Sequence, residues 1–559
     1  MSQDLGACAE VLLDLPARRA DRRLTYRIPD PLHSAVRIGS RVLVPLGPRT
    51  APGFVIALAP SAPVLHREIR EILAVEDSTP LFAQRMLDLA AWVAEQTVST
   101  LLEAVHCLAP PGIFRRRAAP STAPGGHAGD RLRAWPLPSP RASAGAAPPE
   151  SAQAERATLV WGEGAGRRAW IVAAALATAE HGGQVLIVVP EIALVPLLLD
   201  PLRAALGERA MAFHSGVPER ERRAAWVRIA SGEVPVVVGT RSALFAPLDR
   251  LRLIVVDEEH DPAHQADAAP RYHARDVALR RGALEGARVV LGSPTPSMET
   301  YAMVTSGRID CVRLPQAVPP PRVTLVDLRA ERTRGRHGLL TPPLMVAIRS
   351  HLRSGGRVAL FVNRTGYARI LRCPECGFSV RCPRCEVTMP YDRESRTISC
   401  RICGAAAPAP GACPRCGGVA LRGIGPGTAR VEEVVRRLFP ALAIARIDRE
   451  TAPRFAQVAS AFASGRIRLV VGTQLLLRAR EIRPSLVGVL DADLPLHLPD
   501  FRAAERALQQ LRAVVSLAAG VPGAEAIVQT QLPGHPVLSA LATGDDEAVY
   551  RRELAVRSE

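Results

Sequence analysis

The 559-residue chain contains no lysine, so all 71 of its basic residues are arginine. With Ala, Gly and Pro abundant, this is the composition a GC-rich coding sequence produces. Also missing is any apolar run near the roughly 18 residues of a membrane span. The N-terminal MSQDLGACAEVLLDLPARR carries acids early instead of a charged and then apolar leader. Neither a membrane span nor a secretory leader is therefore expected, and a cytoplasmic protein is. Disulfides are not expected in that reducing compartment. Of eleven cysteines, Cys8, Cys107 and Cys311 are scattered, whereas eight fall between Cys373 and Cys416. Clustered pairs of this kind point to metal.

What is present begins with charge. A formal charge of +17 favours a polyanion, because neutralising phosphates with basic side chains releases counterions. Nucleic acid is the expected partner, against the plainer reading of coding bias. At 48% hydrophobic residues the chain can bury ample core, and its length suits three or four domains.

Residues 1 to 112 alternate short β-like runs (RVLVPLG, PGFVIALAP) with turns and end in the helical LFAQRMLDLAAWVAEQT. From 113 to 153 the composition shifts to Pro, Ala, Gly and Ser, which predicts a flexible linker. From about 154, apolar strands (QVLIVVPE, VPVVVGT, LRLIVVDEEH, ARVVLGS) alternate with helical stretches. Such continuous runs predict a parallel sheet covered on both faces. A second set follows after about 345 (RVALFVN, LAIARID, IRLVVGT, LVGVLDAD). The two sets share a phrase, VVVGTRS at 236–242 and LVVGTQL at 469–475. Two tandem α/β lobes are therefore expected, with the cysteine cluster inserted into the second.

That cluster reads Cys373-x-x-Cys376, Cys382-x-x-Cys385, Cys400-x-x-Cys403 and Cys413-x-x-Cys416. Each turn can aim two thiolates at one tetrahedral ion, and the adjacent glycines permit the tight backbone. Four knuckles make two sites, and zinc is favoured over an iron–sulfur cluster. The spacing leaves the pairing open. The 14 residues between the middle knuckles suit a β-hairpin ribbon over which the outer two would close. A closed four-thiolate site leaves no position for substrate, so the role is structural.

The stretch LVWGEGAGRRAW, Leu159 to Trp170, sits where a phosphate-binding loop would lie, between an apolar run and a helical one. Its candidate phosphate-facing residues are Gly164, Gly166 and Arg167. The usual pattern G-x-x-x-x-G-K-[ST] is altered: Trp161 holds the first glycine position, Arg167 the lysine and Arg168 the hydroxyl. Downstream, IVVDEEH places Asp257, Glu258, Glu259 and His260 at a strand's carboxyl end, where a motor ATPase holds magnesium and a water-activating carboxylate.

Together with VVPEIAL, GTRSALFAP, PRYHARD and GSPTPS, and with the N-terminal YRIPD, the zinc knuckles, GVLDADLPLHLPDFRAAER and QTQLPGHP, these phrases resemble the PriA family of replication-restart helicases, superfamily 2 DNA translocases. The resemblance covers most of the chain in one order. It implies two RecA-like lobes, a β-rich N-terminal 3′-DNA-binding module, binding to stalled forks and D-loops, 3′ to 5′ unwinding of the lagging-strand arm, and helicase reloading through primosome or single-strand-binding proteins. It implies the nested metal pairing, Cys373, Cys376, Cys413 and Cys416 on one zinc and Cys382, Cys385, Cys400 and Cys403 on the other. It divides the chain at 1–112, linker 113–153, lobe 154–310, connector 311–345, second lobe 346–372 and 418–534, metal insertion 373–417 and stub 535–559. The linker stands where the family carries a winged-helix domain, and the chain stops where the family continues.

Departures from the family pattern bear on activity. Arg168 brings a cation where a hydroxyl would bind magnesium, and a cation about 4 Å from a dication is repelled by several kcal/mol at a moderate dielectric. The second-lobe motif reads LLRAREI, Leu476 to Ile482. The last motif reads AVVSLAAG, so that Leu517 and Gly520 hold the two arginine-finger positions. A finger is worth on the order of a thousandfold or more. The motor is therefore expected to be inactive, with Asp257 and Glu258 vestigial, while a magnesium-free nucleotide pocket stays open as a possibility. For DNA, Tyr26, Arg41 and Gly47 match the N-terminal pocket, although Thr25 replaces an aspartate; Arg22, Arg23 and Arg115 to Arg117 are further phosphate candidates.

The expected protein is thus a zinc-containing, fork-binding scaffold of replication restart, nucleoid-associated and without membrane contact. The alternatives are an active ATP-dependent helicase and a zinc-binding structural protein without DNA affinity.

Overall fold

The computed structural model describes residues 7–15, 21–59, 69–76, 80–108 and 157–558, except 317, 337, 364–368, 374, 393–394, 401–402, 420, 424–427, 480 and 499. The expected linker over 113–153 lies outside the described residues. The chain divides into two compact units, Met1–Pro296 with Met303–Pro315, and Ser297–Ala302 with Gln316–Glu559.

The first unit opens with an antiparallel sheet of β1 (Cys8–Leu13), β2 (Arg23–Arg27), β3 (Arg41–Leu46), β4 (Arg49–Ala59) and β5 (Ala74–Val75), in the order β2-β1-β4-β3-β5. Val11, Leu12, Val42, Val44, Phe54 and Val55 are fully buried. The helices Gln84–Thr97 and Leu101–Cys107 follow. The second is started by a capping box between Thr100 and Glu103, and the Asp21 carboxylate accepts from the Leu101 and Leu102 amides at 2.8 and 3.0 Å.

The lobe that follows is a wholly parallel seven-stranded sheet. Its strands are β6 (Thr158–Trp161), β7 (Gln184–Val188), β8 (Ala210–Phe213), β9 (Val236–Gly239), β10 (Leu251–Asp257), β11 (Arg288–Ser293) and β12 (Asp310–Arg313), in the order β12-β6-β11-β10-β7-β9-β8. Val185 to Val188, Val236 to Val238 and Ile254 to Val256 have no exposed surface, as strands covered on both faces must. The sheet aligns its carboxyl ends, so the residues just after β6, β10 and β11 share one edge.

The second unit repeats the plan. Strands β13 (Arg322–Asp327) and β14 (Val358–Phe361) begin a parallel sheet. A small antiparallel sheet interrupts it: β15 (Arg369–Arg372), β16 (Pro390–Asp392), β17 (Thr397–Ser399), β18 (Ala406–Pro408) and β19 (Arg422–Gly423). Strands β20 (Ile444–Ile447), β21 (Leu469–Gly472), β22 (Leu486–Val489) and β23 (Glu525–Thr530) complete the parallel sheet in the order β13-β23-β22-β14-β21-β20. Among the described residues no helix is long and apolar enough to cross a membrane.

Candidate nucleotide site, metal centres and nucleic-acid surface

After β6 the chain passes through Gly162 and Glu163 into a helix, Gly164–Glu180. A side chain at Gly162 would strike Leu314 Cβ at 2.7 Å, whereas Gly166 faces open space. Arg167, in the first turn, is 0% exposed. Its Nε donates to Asp257 Oδ1 at 2.6 Å, one terminal nitrogen donates to the Gly162 carbonyl at 2.6 Å, and the other donates to Glu258 Oε1. The loop residue and the two acids at the end of β10 thus form one ionic cluster across 90 positions of sequence. Gly292 makes room for it, since a Cβ there would lie 2.8 Å from Asp257 Oδ1 and 3.0 Å from Arg167 Cδ. Glu258 takes a left-handed φ of 52°, uncommon outside glycine, which turns its carboxylate back toward the helix.

The electrostatics follow from burial. Desolvation alone would push the Arg167 guanidinium down, but Asp257 and Glu258 outweigh it and hold it above its usual range. Half-buried beside them, His260 is pushed down to about 4, mainly by desolvation and further by Arg167 and His264, against the opposing pull of Glu259 and Asp261. Its Nδ1 hydrogen bonds Ser293 Oγ at 2.8 Å, and His264 Nε2 donates to the Asp257 carbonyl at 2.9 Å. Glu259, fully buried, has Arg275 at 3.7 Å. A magnesium ion needs Asp257 free and a phosphate needs the cation at 167; here each neutralises the other. Ser293 and Arg275 lie in the GSPTPS and PRYHARD phrases, but their partners are set by folding and carry no sequence signal.

Arg168 reaches back over the start of its helix, so that a Cβ on Gly164 would lie 2.7 Å from its terminal nitrogen. In the second unit, Leu517 follows the helix Ala503–Ser516. Gly520 turns the chain at a φ of 75°, its N–H donating to the Pro319 carbonyl at 3.3 Å. Neither position offers a cation. In LLRAREI, Leu476, Ala479 and Ile482 are buried core, and Arg480 lies outside the described residues.

The eight clustered cysteines form two four-thiol groups, Cys373, Cys376, Cys413 and Cys416, and Cys382, Cys385, Cys400 and Cys403. This is the nested pairing. The Sγ atoms of Cys373 and Cys416, Cys376 and Cys413, and Cys382 and Cys403 are 3.6 Å apart. That is too long for a disulfide and close to the edge of about 3.8 Å that a tetrahedron with 2.3 Å metal–sulfur bonds requires. Each knuckle closes with a backbone N–H donating to its first cysteine's carbonyl, from Gly377, Glu386, Gly404 and Gly417 at 2.9 to 3.0 Å. All four closing residues have positive φ, 74°, 56°, 72° and 72°, which explains glycine at three of them. The soft, all-thiolate donor set fits a structural metal. The strand entering the insertion is anchored to the lobe by Arg372, which bonds Asp491 Oδ2 at 2.9 Å and Asp493 Oδ2 at 3.1 Å.

In the N-terminal sheet the anticipated DNA residues separate. Tyr26 is buried and its hydroxyl donates to the Pro45 carbonyl at 3.0 Å, a packed aromatic with no exposed face for stacking. Arg41 is buried with its Nε 2.8 Å from Glu76 Oε2. Gly47 sits exposed at the β3–β4 turn with a φ of 61°, and its carbonyl accepts from Arg70 at 2.6 Å. Arg22, Arg23, Arg49 and Arg70 are exposed; Arg115 to Arg117 lie outside the described residues. Arg49 and Arg70 lie beside this turn, where nothing in the local sequence pattern sets them apart.

Two family models match the chain, a 3′ DNA-binding domain over residues 10–110 and a DEAD/DEAH box helicase over residues 152–304. The chain is similar to the replication restart protein PriA of Treponema pallidum, 34% identical over 98% of this chain and 84% of the relative. It is also similar to PriA of Bacillus subtilis, 27% identical over 99% of this chain and 87% of the relative. Among solved structures, RecG bound to a three-way DNA junction aligns with 71% of this chain and 44% of that chain, at 13% identity and a TM-score of 0.40. With matches to a 3′ DNA-binding domain and a helicase family, and a relative 34% identical over 84% of its own length, the chain belongs to the PriA family of replication restart proteins.

Proposed function

We propose that this protein binds branched DNA, such as stalled forks and D-loops with their single-strand/duplex junctions, and scaffolds primosome assembly without an ATP-driven motor. The observation that carries the proposal is the Arg167 clamp. In it the one cation positioned for phosphate and the acid positioned for magnesium are both spent on each other. Nucleotide would have to break a buried ion pair, at a cost of about 3 to 5 kcal/mol, before meeting Arg168 in place of a magnesium hydroxyl. The absence of cations at Leu517 and Gly520 points the same way.

In this reading residues 1–112 contact the DNA, the lobes 154–310 and 346–534 give a rigid frame, and the insertion 373–417 is held by two zinc ions on its eight thiolates. Arg49 and Arg70 beside the Gly47 turn are better placed for phosphate than Tyr26 or Arg41. The partners are forked DNA and primosome or single-strand-binding proteins, in the cytoplasm at the nucleoid.

The test measures ATP turnover by zinc-loaded protein with and without forked DNA, and DNA binding in the same samples. Binding without turnover is expected. Fork-stimulated turnover would sink the silent-motor reading, and absence of binding would sink the DNA reading.

A further inference from the structure

We infer that the base of the first lobe carries a second nucleic-acid contact, a basic pocket that takes the phosphate backbone of a duplex arm; the inference rests on the DNA-binding reading above. The pocket, about 680 Å³, lies where β7, β10 and β11 begin, at Gly183, Leu253 and Arg288. Asp257 and the phosphate-type loop lie at the other ends of these strands, about 13 Å from Leu253 and Arg288 at 3.3 Å per residue, so this is not the nucleotide site.

Arg250, Arg252 and Arg288 converge on it, and no lining residue is acidic. Asp249 neighbours Arg250 in sequence and feels its charge, but it does not line the pocket. Arginines near helix carboxyl ends ordinarily bond the last carbonyls. Here those carbonyls have other donors: the His181 N–H serves Ala177 and Ala179, and the Gly286 N–H serves Gly282. The arginines are left over. Among the described residues the Arg250 side chain donates to the Gly232 carbonyl alone, at 3.2 Å. The Arg252 side chain makes no hydrogen bond or ion pair among the described residues, and its stem is seated against Gly183, where a Cβ would fall 2.8 Å from its Cγ. Arg288 stacks on the Trp170 ring, its guanidinium carbon 5.7 Å from the centroid, with its Nε buried and lacking an acceptor.

A fixed guanidinium with a buried, unpaired donor favours an incoming anion, and planar forks match phosphate oxygens in pairs. A duplex is favoured over a single strand because the lining contains no Phe, Tyr or Trp on which bases could stack. It is favoured over an acidic peptide because the pocket belongs to the same compact unit as the N-terminal DNA-binding module.

The test uses the full chain and a salt series, comparing forked DNA with a 3′-ended single strand, in wild type and in R250Q/R252Q/R288Q. Loss of three phosphate contacts flattens the slope of log K against log salt by about 2 to 3 for the fork, while single-strand binding is unchanged and the charge-conserving R250K/R252K/R288K keeps the wild-type slope. R252Q, whose side chain bonds nothing, guards against misfolding and is expected to flatten the slope by about 0.9. Wild-type slopes in both variants overturn the pocket while leaving the DNA reading intact. Wild type that binds no DNA overturns both. Poly-glutamate binding that R252Q abolishes, with the fork slope unchanged, gives the pocket to an acidic protein partner instead.

Discussion

At the scale of single residues, Arg167 ties the phosphate-type loop of the first lobe to Asp257 and Glu258. Its guanidinium has no exposure and three partners, so its removal leaves Asp257 buried and unpaired. R167M is expected to destabilise the lobe by about 3 to 5 kcal/mol without creating ATP turnover. R167M/D257N/E258Q is expected to recover at least half of that loss, because a neutral replacement of the whole cluster leaves no stranded charge. All five tryptophans lie in the stretch 92–226, so tryptophan fluorescence during urea unfolding follows this unit separately from the second. Equal loss in both variants would show that Arg167 matters through packing alone. The substitution at 167 is legible in the sequence, but its consequence is not. Nothing in GAGRRAW announces that the side chain will reach 90 positions along the chain to two carboxylates, because that contact exists only once β6 and β10 lie in one sheet. Tyr26 shows the converse limit: its sequence context fits a stacking ring and a core ring equally, and only the Pro45 carbonyl distinguishes them.

At the scale of elements, the metal insertion was the most legible part, because a C-x-x-C turn needs its ligands and its positive-φ closing residue within five positions. Glu386 closes its knuckle where the others use glycine, and no rule of spacing foretells that. The strands were legible for the same local reason, since burial on both faces demands unbroken Val, Ile and Leu. Their order in the sheets was not, because pairings such as β12 with β6 join segments about 150 residues apart. The two thiolate groups share no ligand, so they are expected to fill and empty independently. Thiol modification of the wild-type protein, read with a metallochromic dye, should release two zinc equivalents; C373S and C382S should each release one. Loss of both ions in either variant would mean that the two groups fold as one unit. Unchanged release would remove that cysteine from the ligand set.

At the scale of the whole molecule, two sheets of the same plan and a charge of +17 describe a DNA-binding frame. What separates a frame from a motor is coupling, in which nucleotide at one site changes the affinity for DNA at another, and DNA must change nucleotide affinity by the same factor. A ligand without differential affinity for two states shifts nothing, however many lobes the protein has. If Arg167 keeps Asp257 and Glu258 neutralised, ATP and magnesium have no differential purchase on the first lobe. Fork affinity measured by anisotropy should then be the same, within about twofold, with no nucleotide, with ATP and with a slowly hydrolysed analogue, each at matched free magnesium and ionic strength. Matching matters because affinity for DNA falls steeply with salt and nucleotide adds charge to the buffer. A shift of tenfold or more would correspond to about 1.4 kcal/mol of coupling. It would require the Arg167 cluster to open in the presence of nucleotide, and R167M/D257N/E258Q, which has no cluster to open, would then lose the shift.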